Sequence, residues 1–217
     1  MLTLAVTSST SIVGVAVGRL GASPAEVTAD EVVTDRRHAE ELTPLLARTV
    51  AKAGAAFSDV ERFVVDVGPG RFTGLRVGLA TVRTLALATD TPVIGITSLE
   101  ILAWAEPSRP LVAVIDARRA EVFQQRFDHG MTATGPATVG RPDDLAAAAV
   151  GATVVGDGAD RYAELYGSGL LVGRAPSAAD MIGAAAGRPA RPGREIAPCY
   201  LRDPDVQINV KTRPVTG

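Results

Sequence analysis

The chain has 217 residues, 47% of them hydrophobic but only 4% aromatic, with 22 basic against 24 acidic residues and a formal net charge of −2. That composition excludes a disordered chain and calls for a core of Ala, Val, Leu and Ile in one compact domain or two small lobes. There is no basic excess or stripe of the kind that grips a nucleic-acid backbone unaided, so any RNA is expected to be held by another protein. Cys199 is the single cysteine and cannot form an intrachain disulfide. No apolar run approaches the roughly 20 residues of a membrane span, and Met1–Val6 lack the basic start of a signal peptide. A cytoplasmic protein without membrane contact is expected.

In chain order, Leu2–Val6 and Ile12–Val17 read as strands of a hairpin around the turn Thr7-Ser8-Ser9-Thr10-Ser11, with a third strand at Glu31–Thr34. His38–Ala53 carries Ala39, Leu42, Leu45, Leu46, Val50 and Ala53 on one helical stripe, with Gly54 where a C-cap belongs and Pro44 predicting a bend. Arg62–Val67 is a strand, Gly68–Thr73 a glycine loop and Gly74–Ala88 a helix. Val93–Thr97 is a further strand, followed by a short helix over Ser98–Trp104. Pro107–Pro110 marks a boundary between lobes 1–107 and 108–217. Beyond it, Leu111–Asp116 and Glu121–Phe127 are strands around an Arg118-Arg119 turn. Helices are predicted at Asp143–Val150, Asp160–Tyr166 and Ala178–Ala186, and a strand at Thr153–Gly156. The proline-rich tail after Pro189 is expected to be extended or loosely packed, and no convincing repeat stands out. Helices alternating with strands imply an α/β fold with mixed sheets.

The glycine loop could cradle an anion on its N–H groups. It matches neither nucleotide fingerprint, because Leu75 and Arg76 follow Gly74 where a P-loop has Lys and Ser/Thr, and Thr73 stands where the dinucleotide motif has glycine. A tight turn that lets the helix pack closely is the favoured reading. The helix behind it is apolar nearly all round, with Arg76 and Arg83 its only charges. At roughly 100° per residue, Arg76, Ala80, Arg83 and Leu87 share one face. This face is predicted to meet a partner rather than the chain's own second lobe. With Leu42 and Leu46 of the preceding helix, these four residues make up the candidate interface.

Gly68-Pro69-Gly70-Arg71-Phe72-Thr73-Gly74-Leu75-Arg76 resembles the GPGSFTGLR signature of the TsaB (YeaZ) family, with Arg71 in place of the usual serine. Leu4–Thr10 (LAVTSST) is similar to that family's LAIDTST, and His38-Ala39-Glu40 to its His-Ser-Glu. Ile94–Leu102 (IGITSLEIL) resembles IGVSSLEAL, Asp116–Phe123 (DARRAEVF) resembles DARRGEVY, and Cys199-Tyr200-Leu201-Arg202 resembles the terminal Pro-x-Tyr-Leu-Arg. The resemblance implies an actin/Hsp70/hexokinase-like (ASKHA) fold in a reduced two-lobed form. It also implies a non-catalytic subunit of the machinery that makes threonylcarbamoyladenosine in tRNA. Such a subunit binds and supports TsaD, the catalytic relative, in a complex joined by TsaE, an ATPase. It pairs with itself when alone and meets tRNA only through the complex.

Catalytic relatives of the TsaD type hold a metal with a His-x-x-x-His pair. Here Ser98 and Leu102 occupy the two histidine positions, and neither suits a transition metal. His38 and His129, the only histidines, read as a cap or surface residues. The hairpin aspartate usual in the family is replaced by Thr7, which cannot balance the charge of Mg²⁺. Asp116 and Glu121 could pair as carboxylates but read better as a solvated hairpin tip. No nucleophile–base pairing supports a peptidase. No cofactor or metal is expected, although a nucleotide-binding enzyme of the same fold stays open as the alternative.

Overall fold

The computed structural model describes residues 1–108, 110–166 and 171–202. Its first sheet contains β1 (Leu2–Thr7), β2 (Ile12–Arg19), β3 (Thr28–Val33), β4 (Arg62–Asp66) and β5 (Val93–Ile96), in the order β3-β2-β1-β4-β5. β1 pairs antiparallel with β2 and parallel with β4, so the sheet is mixed. The second sheet contains β6 (Leu111–Arg118), β7 (Glu121–Phe127), β8 (Thr138–Gly140), β9 (Thr153–Val155) and β10 (Leu171–Val172), in the order β10-β9-β6-β7-β8. Read from its hairpin outward, it repeats the first sheet strand for strand: an antiparallel β6–β7 pair, then β9 parallel to β6. The repeat missed in the sequence is therefore one of topology. Pairing direction and order recur without recurring residues, because any apolar strand serves in a buried sheet.

Alternation along the strands assigns the two faces of the first sheet. Leu4, Val6, Phe63 and Val65 point to one side and meet Leu42, Leu45, Leu46 and Val50 of helix α1 (His38–Lys52) and Leu79 and Val82 of helix α2 (Phe72–Thr89). Ala5, Ala16 and Val64 point to the other side, against Met181 and Ile182 of the helix Ala178–Ala184. The short helix α3 (Ser98–Ala105) lies between the sheets, with Ile101 in the core on the side of the first sheet that carries Met181 and Ile182, and Leu99 and Leu102 packed on Leu111, Ala113 and Ile115 of β6. Being covered from both sides explains its nearly uniform apolarity.

Several boundaries move. α2 begins at Phe72, two residues early, because Arg71 at φ −65, ψ 118 is its extended N-cap; Asp90 in the left-handed region ends it. Gly54, at φ 65, follows α1 as expected. The helix predicted over Asp143–Val150 is α4 (Pro142–Leu145) continued by a 3-10 turn over Ala146–Ala149. The one predicted over Asp160–Tyr166 is α5 (Asp157–Arg161) and α6 (Ala163–Tyr166). The last helix, α7, is Ala178–Ala184.

The expected boundary at residue 107 falls between α3 and β6. The second sheet starts beyond it, but α7 returns to pack on β1 and β2, and Arg188 donates to Glu100 of α3 at 2.9 Å. The tail, where described, is extended and tied to the first sheet. Arg191 exchanges backbone hydrogen bonds with Val93, Ile196 is buried in the first core, and the Cys199 amide donates to the Val67 carbonyl at 2.7 Å. The Val93–Arg191 bridge and the buried Ile196 side chain hold this proline-rich segment along the edge of β5. Residues 203–217 of the predicted second lobe lie outside the described residues.

Candidate functional site

The hairpin turn and the glycine loop meet at the ends of the parallel strands β1 and β4. Asp66, the last residue of β4, is buried among four donors. Ser9 Oγ and Thr7 Oγ1 donate to Oδ2 at 2.5 and 2.8 Å, and Ser98 Oγ and the Gly68 amide donate to Oδ1 at 2.6 and 2.8 Å. Burial pushes the carboxyl above its usual range, and the donors Ser9, Ser98, Gly68 and Thr7 pull it only part of the way back. The site does hold a carboxylate, contributed by β4 rather than by the hairpin. Its sequence signal was an acidic residue closing the apolar run Phe63-Val64-Val65.

The loop glycines serve packing, as the sequence reading favoured. A Cβ on Gly70 would lie 2.2 Å from the Ser9 carbonyl oxygen, and one on Gly74 would lie 2.1 Å from that of Ser8. Two of the loop amides are also in use: Arg71 donates to the Ser9 carbonyl and Gly68 to Asp66. The hairpin turn is buried, so nothing here resembles an open phosphate cradle.

Ser98 and Leu102, at the two histidine positions, are a hydrogen-bond donor to Asp66 and a fully buried core residue. Among the described residues no group of three or more His, Cys, Asp or Glu could hold a metal ion. His129 is exposed, but His38 is neither cap nor surface. It is buried, and its Nε2 donates to the Thr10 carbonyl at 2.8 Å because the turn closes over the start of α1. Asp116 is ion-paired with Arg118 and Arg161, and Glu121 with Arg202, so they form no catalytic pair.

The outer face of α2 is open. Ala80, Thr84, Leu87 and Ala88 are exposed, Leu87 by 86%. Arg76 is exposed as well, with its guanidinium 3.7 Å over the Phe72 ring and its Nε donating to Tyr200 Oη. Arg83 is half-buried and donates to the Ile196 carbonyl, so the tail engages it. Leu42 and Leu46 are not on this surface. At 1% and 4% exposure they belong to the core under α1, because an apolar stripe facing a sheet is consumed by that sheet. The exposed row on α1 is Thr43, Ala47 and Ala51. A cleft of about 730 Å³ adjoins Leu87, between the end of α2 and the returning tail.

A second cleft, of about 770 Å³, lies between the glycine loop, the β6–β7 turn and the tail. Among the described residues, six arginines line it (Arg36, Arg71, Arg76, Arg118, Arg119 and Arg202), with Asp35 the only acidic one. The near-neutral net charge concealed this concentration, since residues from four separate segments build it. At its rim Arg118, Arg119 and Ala120 all have positive φ, at 64°, 56° and 57°. Each such residue costs about 1–3 kcal/mol outside glycine and persists only where the surroundings hold it; here the Arg118 amide donates to Asp116 Oδ1 at 3.0 Å.

Two sheets of repeated topology, with a hairpin turn and a loop–helix unit meeting where the parallel strands end, define an α/β protein of the actin/Hsp70/hexokinase-like class. The activator of the 2-hydroxyisocaproyl-CoA dehydratase from Clostridium difficile shares the fold alone, at TM-score 0.51 and 10% identity over 85% of this chain and 93% of that one. YeaZ from Pseudomonas aeruginosa superposes at TM-score 0.79 with 29% identity, covering 92% of this chain and 99% of its own. The family model described as TsaD, tRNA N6-adenosine threonylcarbamoyltransferase, matches residues 28–165. An uncharacterized protein of Mycobacterium tuberculosis is 35% identical over 83% of both chains. The tRNA threonylcarbamoyladenosine biosynthesis protein TsaB of Escherichia coli K12 is 30% identical over 60% of this chain and 58% of its own. The chain belongs to the TsaB (YeaZ) family.

Proposed function

We propose that the chain is a non-catalytic subunit that binds and supports a TsaD-like enzyme in the threonylcarbamoyladenosine modification of tRNA. In this reading it pairs with itself when alone, and a TsaE-like ATPase joins the larger complex. The exposed outer face of α2 carries the proposal. Ala80, Thr84, Leu87 and Ala88 form an apolar and small-residue strip on an otherwise well-covered helix, and soluble monomers seldom leave such a strip open. The small residues Thr43, Ala47 and Ala51 of α1 offer the companion row, in place of Leu42 and Leu46. Two helices from each chain then make a four-helix contact, two-fold symmetric in the homodimer. The name of the Escherichia coli relative supports the pathway. Ser98 and Leu102 at the metal-ligand positions support a role outside catalysis, so desalted protein should carry no stoichiometric zinc or iron.

Sedimentation of the parent and of Ala80→Glu, each alone and mixed with a TsaD-like subunit, tests the reading. An unpaired charge at the centre of the contact should weaken both associations by about 3–5 kcal/mol. A folded variant that associates as tightly as the parent in both settings would show the interface to be elsewhere.

A further inference from the structure

We propose that the inter-lobe arginine cleft binds RNA directly, through its phosphate backbone, with a base laid against Phe72 and Tyr200. The expectation from charge balance was that RNA would be held elsewhere. The fold qualifies its premise by bringing six arginines to one cleft, where Arg71, Arg118 and Arg202 also pair with Asp35, Asp116 and Glu121. Choosing RNA among polyanions rests on the tRNA-modification reading above, and three features of the cleft support it.

The first is the rim. Arg118 and Arg119 sit on consecutive left-handed residues at a hairpin tip, exposed, with the turn held by Asp116. Left-handed backbone at non-glycine residues points to a demand on where these side chains are aimed. Arg36 faces the same cleft and is exposed. The second is the aromatic wall. The rings of Phe72 and Tyr200 lie 5.3 Å apart, each more than a third exposed, with Arg76 stacked on Phe72 and bonded to Tyr200. Aromatic rings and guanidinium planes beside phosphate-binding arginines are the chemistry that takes unstacked bases of single-stranded or looped RNA.

The third feature argues against a free polyphosphate. The Gly68 and Arg71 amides are spent on Asp66 and Ser9, the hairpin turn is buried, and the described residues hold no metal-binding cluster. Charge is delivered by long side chains around an open rim, which suits a strand passing through. Arg76 precedes Ala80 by four residues, or about 6 Å along the helix. RNA in the cleft would thus lie beside the face proposed for the catalytic partner.

Fluorescence anisotropy of an unmodified tRNA transcript, titrated over a salt series with the full chain alone and with its TsaD-like complex, tests the inference. Arg36→Glu combined with Arg119→Glu should weaken RNA binding at least about tenfold and reduce the log–log salt slope by roughly 1.4, for two lost single-strand phosphate contacts. Tyr200→Leu should weaken binding while leaving the salt slope unchanged. Arg36→Gln, a single exposed change, gives a second reading if the double variant melts early. RNA affinity and slope unchanged in well-folded variants would overturn the inference, as would no RNA binding by either the chain or the complex. Competition by magnesium-free ATP at micromolar concentration in place of RNA would make this a small-anion site. Loss of partner association instead of RNA affinity would make it an acidic-protein site; either result overturns the inference. Partner binding is read separately through Ala80→Glu, so failure of that reading leaves this comparison intact.

Discussion

The Thr7 hydroxyl donates to the Asp66 carboxylate at 2.8 Å, one step beyond the paired residues Val6 and Val65 of two parallel strands. Threonine at the hairpin and aspartate on the neighbouring strand form one unit, in which a single buried negative charge has its own set of donors. The arrangement makes the hairpin position intolerant of a second carboxylate.

Thr7→Asp should therefore destabilise the fold at neutral pH by about 3–5 kcal/mol, by setting two carboxylates together in a buried site. The folded pair would retain a proton that the unfolded chain releases, so the loss should shrink as pH falls toward about 4, the range of free carboxylates. Thermal melts at pH 5 and pH 7.5 check this, and equal melting of parent and variant at pH 7.5 would sink it. The variant should also gain no steady ATP hydrolysis.

Asp66→Ala removes the shared acceptor of three buried hydroxyls and the Gly68 amide, leaving Ser98 Oγ only its 3.0 Å bond to Ser9 Oγ, and should cost about 2–4 kcal/mol. Asp66→Asn keeps the shape and should cost less. The parent carboxyl is raised by burial, so the folded state holds its proton more tightly than the unfolded state. Asp66 then contributes stability that is complete below the unfolded value near 4 and declines as pH rises through the elevated folded value. Asparagine does not titrate. Urea midpoints across pH 4–8 should accordingly fall less steeply for Asp66→Asn than for the parent.

The glycines of the loop–helix unit should differ in their tolerance of alanine. At Gly74 the added methyl meets the Ser8 backbone carbonyl, while at Gly78 it meets Ser8 Oγ at 2.3 Å, which can rotate away. Gly74→Ala should thus cost about 2–3 kcal/mol and Gly78→Ala less, its loss set by the Ser8 bond to the Gly74 carbonyl. The reverse order in denaturant melts would show that the contact with the hairpin turn does not govern these positions.

Leu42 and Ala47 on the same helix should separate stability from association. Leu42→Ala opens a cavity under α1 and should cost about 2–5 kcal/mol of stability. Ala47→Glu is on the exposed row and should leave the melting temperature nearly unchanged while weakening pairing with itself and with a TsaD-like subunit. Melting and sedimentation on both variants check the division.

Strands and helices were legible wherever an element buries one face or all of its surface, as in β1, β2, α1 and α2, because apolar spacing records that burial directly. Leu42 and Leu46 show the limit of the same signal: a stripe records that a face is covered, not whether the chain itself or a partner covers it. The face around Ala80 and Leu87 is left exposed, because the first sheet can cover only one side of α2. Asp66 and the arginine cleft escaped notice for a different reason. The hydroxyl partners of Asp66 are 32, 57 and 59 residues away and the arginines lie on four separate segments, so no local spacing brings either set together.

The return of α7 and the tail to the first sheet gives the two lobes two covalent crossings, one between α3 and β6 and one between β10 and α7. Two bodies joined by one thread can swivel in any direction, whereas two threads confine them to bending about the line through both joints. Arg202, bonded to the Ala117 carbonyl and paired with Glu121, fastens the tail across the cleft like a latch on that hinge. Opening the cleft by bending along that line would require breaking both Arg202 contacts and the Arg76–Tyr200 bond that ties the tail to the start of α2.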